Sequence, residues 1–382
     1  MIDLTPALRL YARCRLWRLD AAPAAESQAK VLLRLCRRAR ETRFGRDHGL
    51  GAVGSVEEFQ RRIPLRDYGA FWAEYWQPSF PVLRDITWPS TIPYFAKTSG
   101  TTTGATKYIP YTREMARDAY LNMLELFAHH LHAHPGSRLL GGKGLMLSGE
   151  IARPRHPFRR GQRHRRAPGA ALFAAEGAAL ARDRRHPRLI REDRPVGGGL
   201  ARAGRAHPRR LAELAAAVPR PVGAADARGA AAARQLVPEA GVIVHGGVNF
   251  APYRSRFRAL LEGSRAETRE AYSASEGFFA AADRGDGEGM RLIADRGIFY
   301  EFVPVEEIDA PNPTRHWAAT VQPGVDYALY VSTCAGAWAY GLGDTVRLVD
   351  TEPMRLVVTG RTSYPGLFIR VADLVCGHGS SC

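Results

Sequence analysis

The stretch that decides the fold reads Thr98-Ser-Gly-Thr-Thr-Thr-Gly-Ala-Thr-Lys107 and follows the apolar run Ile92-Pro-Tyr-Phe-Ala96. Its two glycines allow the backbone to bend so that successive N–H groups converge on an anion. The surrounding hydroxyl groups and the Lys107 ammonium can then hold that anion. The pattern therefore predicts a loop that binds a polyphosphate.

The spacing of this loop differs from that of the common P-loop, in which four residues separate the glycines and Lys and Ser/Thr follow directly. Here three residues separate Gly100 from Gly104, and two more precede Lys107. An isolated stretch of this kind is also typical of an ordinary Ser/Thr/Gly turn. The phosphate interpretation therefore depends on support from the rest of the chain.

Length and composition are those of a globular protein. The chain has 382 residues, enough for two or three domains, and 45% of them are hydrophobic. It contains no run of eighteen apolar residues, and the arginine-rich residues 1–20 do not form a secretory signal. We therefore expect a cytoplasmic protein that does not enter a membrane. Its scattered cysteines lack a C-x-x-C pair and are expected to be free thiols; they are Cys14, Cys36, Cys334, Cys376 and Cys382.

The positive charge is concentrated in one segment. Residues 151–234 contain 20 Arg, no Lys and 6 Asp or Glu, which accounts for +14 of the net +16. The segment has no hydrophobic period and is dominated by Arg, Ala, Gly and Pro. A basic nucleic-acid arm, a disordered insertion and a stretch translated out of frame from a GC-rich gene all fit this composition. We favour the last interpretation and expect no specific nucleic-acid partner.

Two helices are predicted from apolar residues at three- and four-residue spacing. The first covers 26–44 and ends near Phe44-Gly45, where glycine suits a helix C-terminus. The second is capped by Thr112 and continues to about His132. It presents an apolar stripe of Ala116, Ala119, Tyr120, Met123, Leu124, Phe127 and Leu131.

Four histidines close the second helix. His130 and His134 have the spacing of metal ligands on one helical face, but no intervening Glu follows the metalloprotease pattern. Imidazoles are also favourable near the negative end of the helix dipole. A solvated helix end is the favoured interpretation.

Short apolar runs predict strands at 144–147, 242–245, 327–333 and 354–359, and a helix covers roughly 254–263. Residues 290–294 and 298–304 are predicted to pair as a hairpin around Asp295-Arg-Gly297. Residues 340–344 are predicted to form a turn into a strand at 345–349. The fold class is therefore α/β.

Several motifs resemble known families. The loop at 98–107 resembles the phosphate-binding loop of the acyl-adenylate-forming superfamily. The following Lys107-Tyr-Ile-Pro-Tyr-Thr112 is similar to the auxin-responsive (Gretchen Hagen) family of acyl-acid amido synthetases. Residues 44–48, 64–68 and 297–304 are similar to the same family.

Nucleotide motifs follow in the order of that superfamily. Val242–Tyr253 looks like the strand and loop that approach the adenine. Glu270-Ala-Tyr-Ser-Ala-Ser-Glu-Gly277 resembles the adenine and magnesium motif, and Tyr340-Gly-Leu-Gly-Asp344 resembles the ribose motif, with Leu342 where the family commonly has arginine or tyrosine. Gly360-Arg-Thr362 looks like the hinge before a small C-terminal domain.

The resemblance implies a large N-terminal domain of the acyl-adenylate-forming fold, with mixed sheets and flanking helices. Its first part is 1–150 and its remainder 235–364, on either side of the arginine-rich segment. Residues 365–382 form an aberrant tail in place of the small domain, so we expect that domain to be absent and activity to be impaired.

The implied function is that of a ligase that activates a carboxylic acid with ATP and Mg²⁺ and joins it to an amino acid. Lys107 and Glu276 are the implied catalytic residues, and Glu276 is the implied metal ligand. The implied nucleotide-binding residues are Ser99, Gly100, Thr101, Thr102, Gly104, Lys107, Gly247, Tyr272, Ser275, Asp344 and Arg361. A non-catalytic nucleotide or acyl-acid binding protein and a basic nucleic-acid binder are the alternatives. The residues do not indicate an oligomeric state.

Overall fold

A computed structural model describes residues 3–99, 106–139, 242–246, 250–262, 266–285 and 287–362. The strand predicted at 144–147, the arginine-rich segment 151–234 and the tail 365–382 lie outside these ranges. Among the described helices, none is both long and apolar enough to cross a membrane.

Seven α-helices lie in the described residues. Side chains cap four of them: Thr42, Ser55, Asp67 and Thr112 each accept a hydrogen bond from a backbone N–H of the first turn. The Thr112 cap confirms the predicted start of the second helix. The helices are α1 Thr5–Ala21, α2 Ala24–Ala39, α3 Arg43–Asp47, α4 Val56–Arg62, α5 Tyr68–Phe71, α6 Arg113–Ala133 and α7 Ala251–Leu261.

Ten strands form two sheets. They are β1 Tyr94–Ser99, β2 Thr106–Tyr111, β3 Val242–His245, β4 Glu267–Ala274, β5 Gly277–Ala281, β6 Met290–Leu292, β7 Ile298–Pro304, β8 Asp326–Thr333, β9 Tyr340–Thr351 and β10 Met354–Arg361. β1 and β2 form an antiparallel pair, and the other strands form a sheet in the order β3-β4-β5-β6-β10-β9-β8-β7. Only the β3–β4 pairing is parallel, so the sheet is mixed and the predicted α/β class is confirmed.

The main core lies between the N-terminal helices and the sheet. Every residue of β7 is buried, because α2 covers this edge strand. Phe44 of α3 stacks on Trp338, which precedes β9, and Phe71 of α5 stacks on Trp76. The ring centroid of Phe71 also lies 6.0 Å from that of Tyr340, the first residue of β9, so α5 contacts the sheet directly.

The helix predicted at 26–44 ends earlier in the structure. α2 stops at Ala39, and Thr42 caps a separate helix that contains Phe44 and Gly45. A Cβ atom on Gly45 would lie 2.1 Å from the Ala39 carbonyl oxygen. Glycine is therefore needed for the close approach of two helices, and not for a helix C-terminus.

The predicted hairpin around 295–297 is wrong. β6 pairs with β5 and β10, whereas β7 pairs with β8 at the edge of the sheet. The short turn therefore carries the chain from the middle of the sheet to its edge. Strand propensity alone did not distinguish this connection from a hairpin, because pairing is decided by distant strands.

Gln28 of α2 binds the outer edge of β7. Its amide nitrogen donates to the carbonyls of Ala294 and Ile298, at 2.7 and 3.0 Å, and its amide oxygen accepts from Tyr300 N at 2.8 Å. Farther along the strand, Phe302 exchanges two backbone hydrogen bonds with His316. Backbone groups that face away from β8 thus find partners within the chain.

The turn predicted at 340–344 is also wrong. β9 begins at Tyr340, and these residues pair with β8 through a bulge, in which Tyr330 pairs with Gly341 and Ala328 pairs with Thr345. Gly343 has a φ of +81°, a conformation that glycine adopts readily. Glycines in this stretch therefore shape a bulge inside a strand. The strands predicted at 242–245, 327–333 and 354–359 are confirmed.

α6 lies between α1 and the sheet, so its buried surface is wider than the predicted stripe. Asn122, Glu125, His129 and His130 are all buried, although they are polar. The interpretation of the histidines as a solvated helix end is therefore wrong for His129 and His130, whereas His134 is exposed. A helix that packs on two sides buries positions that lie outside its apolar stripe.

A buried ion cluster joins α1 to α6. The guanidinium of Arg15 donates to the carboxylate of Glu125 at 2.5 and 2.8 Å and to that of Asp295 at 2.5 and 2.8 Å. Arg15 is 9% exposed and Glu125 is 1% exposed. Buried charges of this kind require a partner, so the cluster fixes α1 against α6 and the β6–β7 connection.

Candidate nucleotide site

Residues predicted to bind the nucleotide come from both sheets and interact with one another. Tyr272 lies on β4 and Glu276 in the turn that follows it, while Asp344 and Arg361 face each other on β9 and β10. Lys107 lies on β2 and acts electrostatically on Glu276. The structure therefore brings together five residues from three separate parts of the sequence.

Asp344 is held from two sides. The hydroxyl of Tyr272 donates to Oδ2 at 2.8 Å, and Nη1 of Arg361 lies 3.1 Å from Oδ1. The aspartate side chain is 13% exposed, and that of Arg361 is 58% exposed. Burial raises the pKa of Asp344, and Arg361 and Tyr272 only partly oppose this rise. Both oxygens are oriented, as the recognition of paired hydroxyl groups requires.

Glu276 is the second carboxylate. The hydroxyl of Tyr340 donates to its Oε1 at 3.2 Å. Burial raises the pKa of Glu276 and the charge of Asp344 adds to the rise, whereas Tyr340 and Lys107 oppose it. Two carboxylates that disfavour each other's ionisation form a site where a cation is favourable.

Lys107 extends from the strand that follows the glycine-rich loop. Its partner across the β1–β2 pair is Thr98, so β1 and β2 place both ends of the loop side by side. Its ammonium lies 5.3 Å from the ring centroid of Tyr68, a cation–π distance. The hydroxyl of Tyr68 accepts a hydrogen bond from Tyr108 N at 3.0 Å, which fixes the ring relative to β2.

Other predicted positions are only partly described. The backbone of Ser99 pairs with Thr106 at the end of β1, and half-buried Ser275 lies in the turn after β4. Tyr272 is 5% exposed and its ring centroid lies 4.9 Å from that of Phe279. Stacking of Tyr272 on adenine stays a prediction. Gly100, Thr101, Thr102, Gly104 and Gly247 lie outside the described residues.

Tyr340 and Tyr68 were missed as site residues. Tyr340 stands four positions before Asp344, and a hydroxyl-bearing residue inside a ribose motif was the available signal. Arg66 holds this position, because its N–H donates to Ala339 O at 3.0 Å and its carbonyl accepts from Gly341 N at 2.8 Å. No comparable signal marks Tyr68, because its contact with Lys107 depends on the fold.

The residues present suit a magnesium–nucleotide complex. Mg²⁺ is bound through one or two carboxylates together with phosphate oxygens. Glu276 supplies such a carboxylate near Lys107, and Lys107 borders a loop rich in hydroxyl groups and glycine. The donor set therefore fits Mg²⁺ held between Glu276 and phosphate oxygens.

The mixed sheet and the flanking helices are those expected of the acyl-adenylate-forming fold. The sequence matches the GH3 family N-terminal domain over residues 18–159 and the GH3 family central domain over residues 291–361, together more than half of the chain. The chain belongs to the GH3 family. The resemblance seen in the sequence is thereby confirmed, and the first match extends into the arginine-rich segment.

Two solved structures are similar in fold. A GH3.15 acyl acid amido synthetase is 17% identical with a TM-score of 0.61, over 91% of this chain and 69% of that one. A second, described as AtGH3.15 acyl acid amido synthetase in complex with 2,4-DB, is 17% identical with a TM-score of 0.62, over 92% and 70%. No curated protein matches the sequence.

Proposed function

We propose that this chain activates a carboxylic acid with ATP as an acyl-adenylate and conjugates it to an amino acid. The observation that carries the proposal is the convergence of Glu276, Asp344, Lys107 and Arg361 at one place in a GH3 fold. The similar solved structures are named as acyl acid amido synthetases. The substrates, ATP and a cytoplasmic location are parts of this proposal.

The ribose end of the nucleotide is assigned to Asp344. Its carboxylate accepts hydrogen bonds from the paired ribose hydroxyls, because Tyr272 and Arg361 hold both oxygens in fixed directions. Hydrogen bonds to an ionised oxygen are about twice as strong as those between neutral groups. Hydrogen bonds donated by the ribose hydroxyl groups also favour the ionised form of the Asp344 carboxylate.

The phosphate end is assigned to Lys107 and the adjacent loop. The Lys107 ammonium binds the β- and γ-phosphate oxygens together with the hydroxyl groups of Ser99, Thr101 and Thr102. Glu276 would hold Mg²⁺, which supplies positive charge beside the departing pyrophosphate. Tyr340 keeps the Glu276 carboxylate oriented through its hydroxyl group.

The reaction has two steps. A carboxylate oxygen of the acid forms a bond to the α-phosphorus, and the bond between that phosphorus and pyrophosphate breaks. The amino acid nitrogen then bonds to the acyl carbon, AMP leaves with the bonding electrons, and the amine loses a proton. Charge develops on phosphoryl and carbonyl oxygens, so oriented donors such as Lys107 stabilise the transition states.

The test is ATP–pyrophosphate exchange with a panel of aryl and alkyl carboxylic acids, followed by mass spectrometry for amides with mixed amino acids. Exchange is expected with a subset of acids, and Glu276→Gln and Lys107→Ala should each lower it at least about tenfold. Glu306→Gln and Lys30→Ala, which change exposed residues far from the site in sequence, serve as matched controls. Exchange that is equal in site and control variants would contradict the site.

Calorimetric titration with MgATP distinguishes an enzyme from a non-catalytic nucleotide-binding protein. The chain would be a nucleotide-binding protein and not an enzyme if ATP binding depends on Glu276 but no acid gives exchange or amide formation. Amide formation would establish the complete reaction.

A further inference from the structure

A cluster of metal-ligating side chains lies at the start of β4 and uses none of the residues assigned to the nucleotide. His130 lies in the last turn of α6, and His134, four residues later, is the residue that follows the helix. Their ring centroids are 5.1 Å apart. Glu267, the first residue of β4, lies against both rings.

The three side chains converge on a small volume. Nδ1 of His130 lies 2.5 Å from Oε1 of Glu267, and Nε2 of His134 lies 2.8 Å from Oε2. One ligand atom from each residue lies within 4.8 Å of the other two. We propose that His130, His134 and Glu267 form a binding site for Zn²⁺.

The ligands are supported by a second layer of hydrogen bonds. The far nitrogen of His130, Nε2, lies 2.9 Å from the hydroxyl of Ser137. Arg269 Nε donates to Oε1 of Glu267 at 2.5 Å, and its Nη1 donates to the Ala282 carbonyl. Metal-binding imidazoles and carboxylates in proteins have such outer partners, which fix the tautomer and the orientation of the ligand.

This arrangement assigns an atom to each ligand. Arg269 keeps Oε1 of Glu267, which leaves Oε2 for the metal. When Nδ1 of His130 binds the metal, the Nε2 proton of the same ring can be accepted by the Ser137 hydroxyl group. Without metal, the ring nitrogens that face the carboxylate carry protons and donate to it. Metal binding replaces those protons.

Zn²⁺ suits this set better than Mg²⁺ or Ca²⁺, because imidazole nitrogen predominates over oxygen. Zn–N and Zn–O bonds of 2.0–2.2 Å in a tetrahedron separate the ligand atoms by about 3.3 Å. The 2.8 Å contact between Nε2 of His134 and Oε2 of Glu267 must therefore open by about 0.5 Å. His134 has a side chain that is 47% exposed and can supply that movement.

The position of the cluster gives the metal a structural role. The cluster joins the end of α6 to the start of β4. A long stretch of sequence that includes the arginine-rich segment separates these two elements. A cross-link that closes a long loop restricts the unfolded chain strongly. Zn²⁺ should therefore stabilise the fold without taking part in nucleotide chemistry.

The test uses the untagged full chain, stripped with a chelator and titrated with ZnCl₂ in a calorimeter. One saturable Zn²⁺ site is expected, with a rise in melting temperature of roughly 5 °C at about a hundredfold excess over the dissociation constant. Co²⁺ in its place should give the visible absorption of a tetrahedral centre. MgCl₂ should produce neither effect.

Two histidines of the same helical turn give a matched comparison. His134→Ala should weaken Zn²⁺ binding at least about tenfold, whereas His132→Ala, which changes an exposed residue outside the cluster, should leave it unchanged. Glu267→Gln, which keeps the shape of the side chain, should act like His134→Ala. Absence of saturable binding, or equal binding in the two histidine variants, would overturn the proposal.

Discussion

The buried ion cluster of α1 allows a quantitative prediction. Replacing Arg15 with Leu removes the cation that binds Glu125 and leaves that carboxylate buried at 1% exposure. Removal of one partner from a buried ion pair costs about 3–5 kcal/mol. The contact with Asp295 adds little, because that carboxylate is 34% exposed and can be solvated.

Arg296 reduces the expected loss. Its Nη2 lies 3.9 Å from Glu125 Oε2 and retains part of the favourable electrostatic interaction in the variant. We therefore expect Arg15→Leu to lower the free energy of unfolding by about 3 kcal/mol. This is a large part of the 5–15 kcal/mol that stabilises an ordinary domain.

Urea unfolding followed by circular dichroism measures this change as a lower midpoint with an unchanged slope. Arg38→Leu is the control, because it breaks an ion pair with Glu114 in which both side chains are exposed, and about 0–1 kcal/mol is expected. The double variant Arg15→Leu/Glu125→Leu should recover most of the loss, since the buried carboxylate is removed and the remaining Asp295 is partly solvated. The reasoning is refuted if Arg15→Leu costs no more than Arg38→Leu, or if the double variant is as unstable as Arg15→Leu.

Three further predictions concern other parts of the molecule. Burial lowers the pKa of His129 from 6.5 to about 4, so the buried neutral ring contributes stability above pH 6.5 that is lost as the pH falls towards 4. His129→Leu should reduce the fall of the urea midpoint over this pH range. A fall as large as that of the unchanged chain would contradict the prediction. Tyr340→Phe removes a hydrogen bond to a site carboxylate and should weaken MgATP binding roughly tenfold in calorimetry; unchanged affinity would remove Tyr340 from the site. Gly246→Ala would place a Cβ atom 2.0 Å from a β4 carbonyl oxygen and should lower the melting temperature by roughly 5 °C, whereas Gly136→Ala, with open space around it, should not.

Local elements were predictable where one residue type fixes the local structure. Thr112 marked the start of α6, and short apolar runs marked β3, β8 and β10. The family was predictable as well, because its motifs occur in order along the chain. In both cases the information lies within a few consecutive residues.

Pairing and burial were less predictable because they depend on distant residues. The connection at 295–297 has the sequence of a hairpin turn, yet it leads to another strand neighbour. His129 lies on a helical face that is polar in sequence, and it is buried among elements distant in sequence, with charges of Asp283, Arg291 and Asp20 acting on it. The bonds of Tyr272 and Tyr340 to site carboxylates likewise require strands that lie far apart in sequence.

The edge of β7 has a consequence for the behaviour of the chain at high concentration. An exposed strand edge is a template on which another molecule can add a strand, which leads to aggregation. Gln28 occupies that edge through its side-chain amide, and His316 occupies it through its backbone N–H and carbonyl groups. Because Gln28 belongs to α2, any partial unfolding that detaches α2 exposes the edge of β7. The docking of α2 therefore controls how readily chains aggregate through this edge.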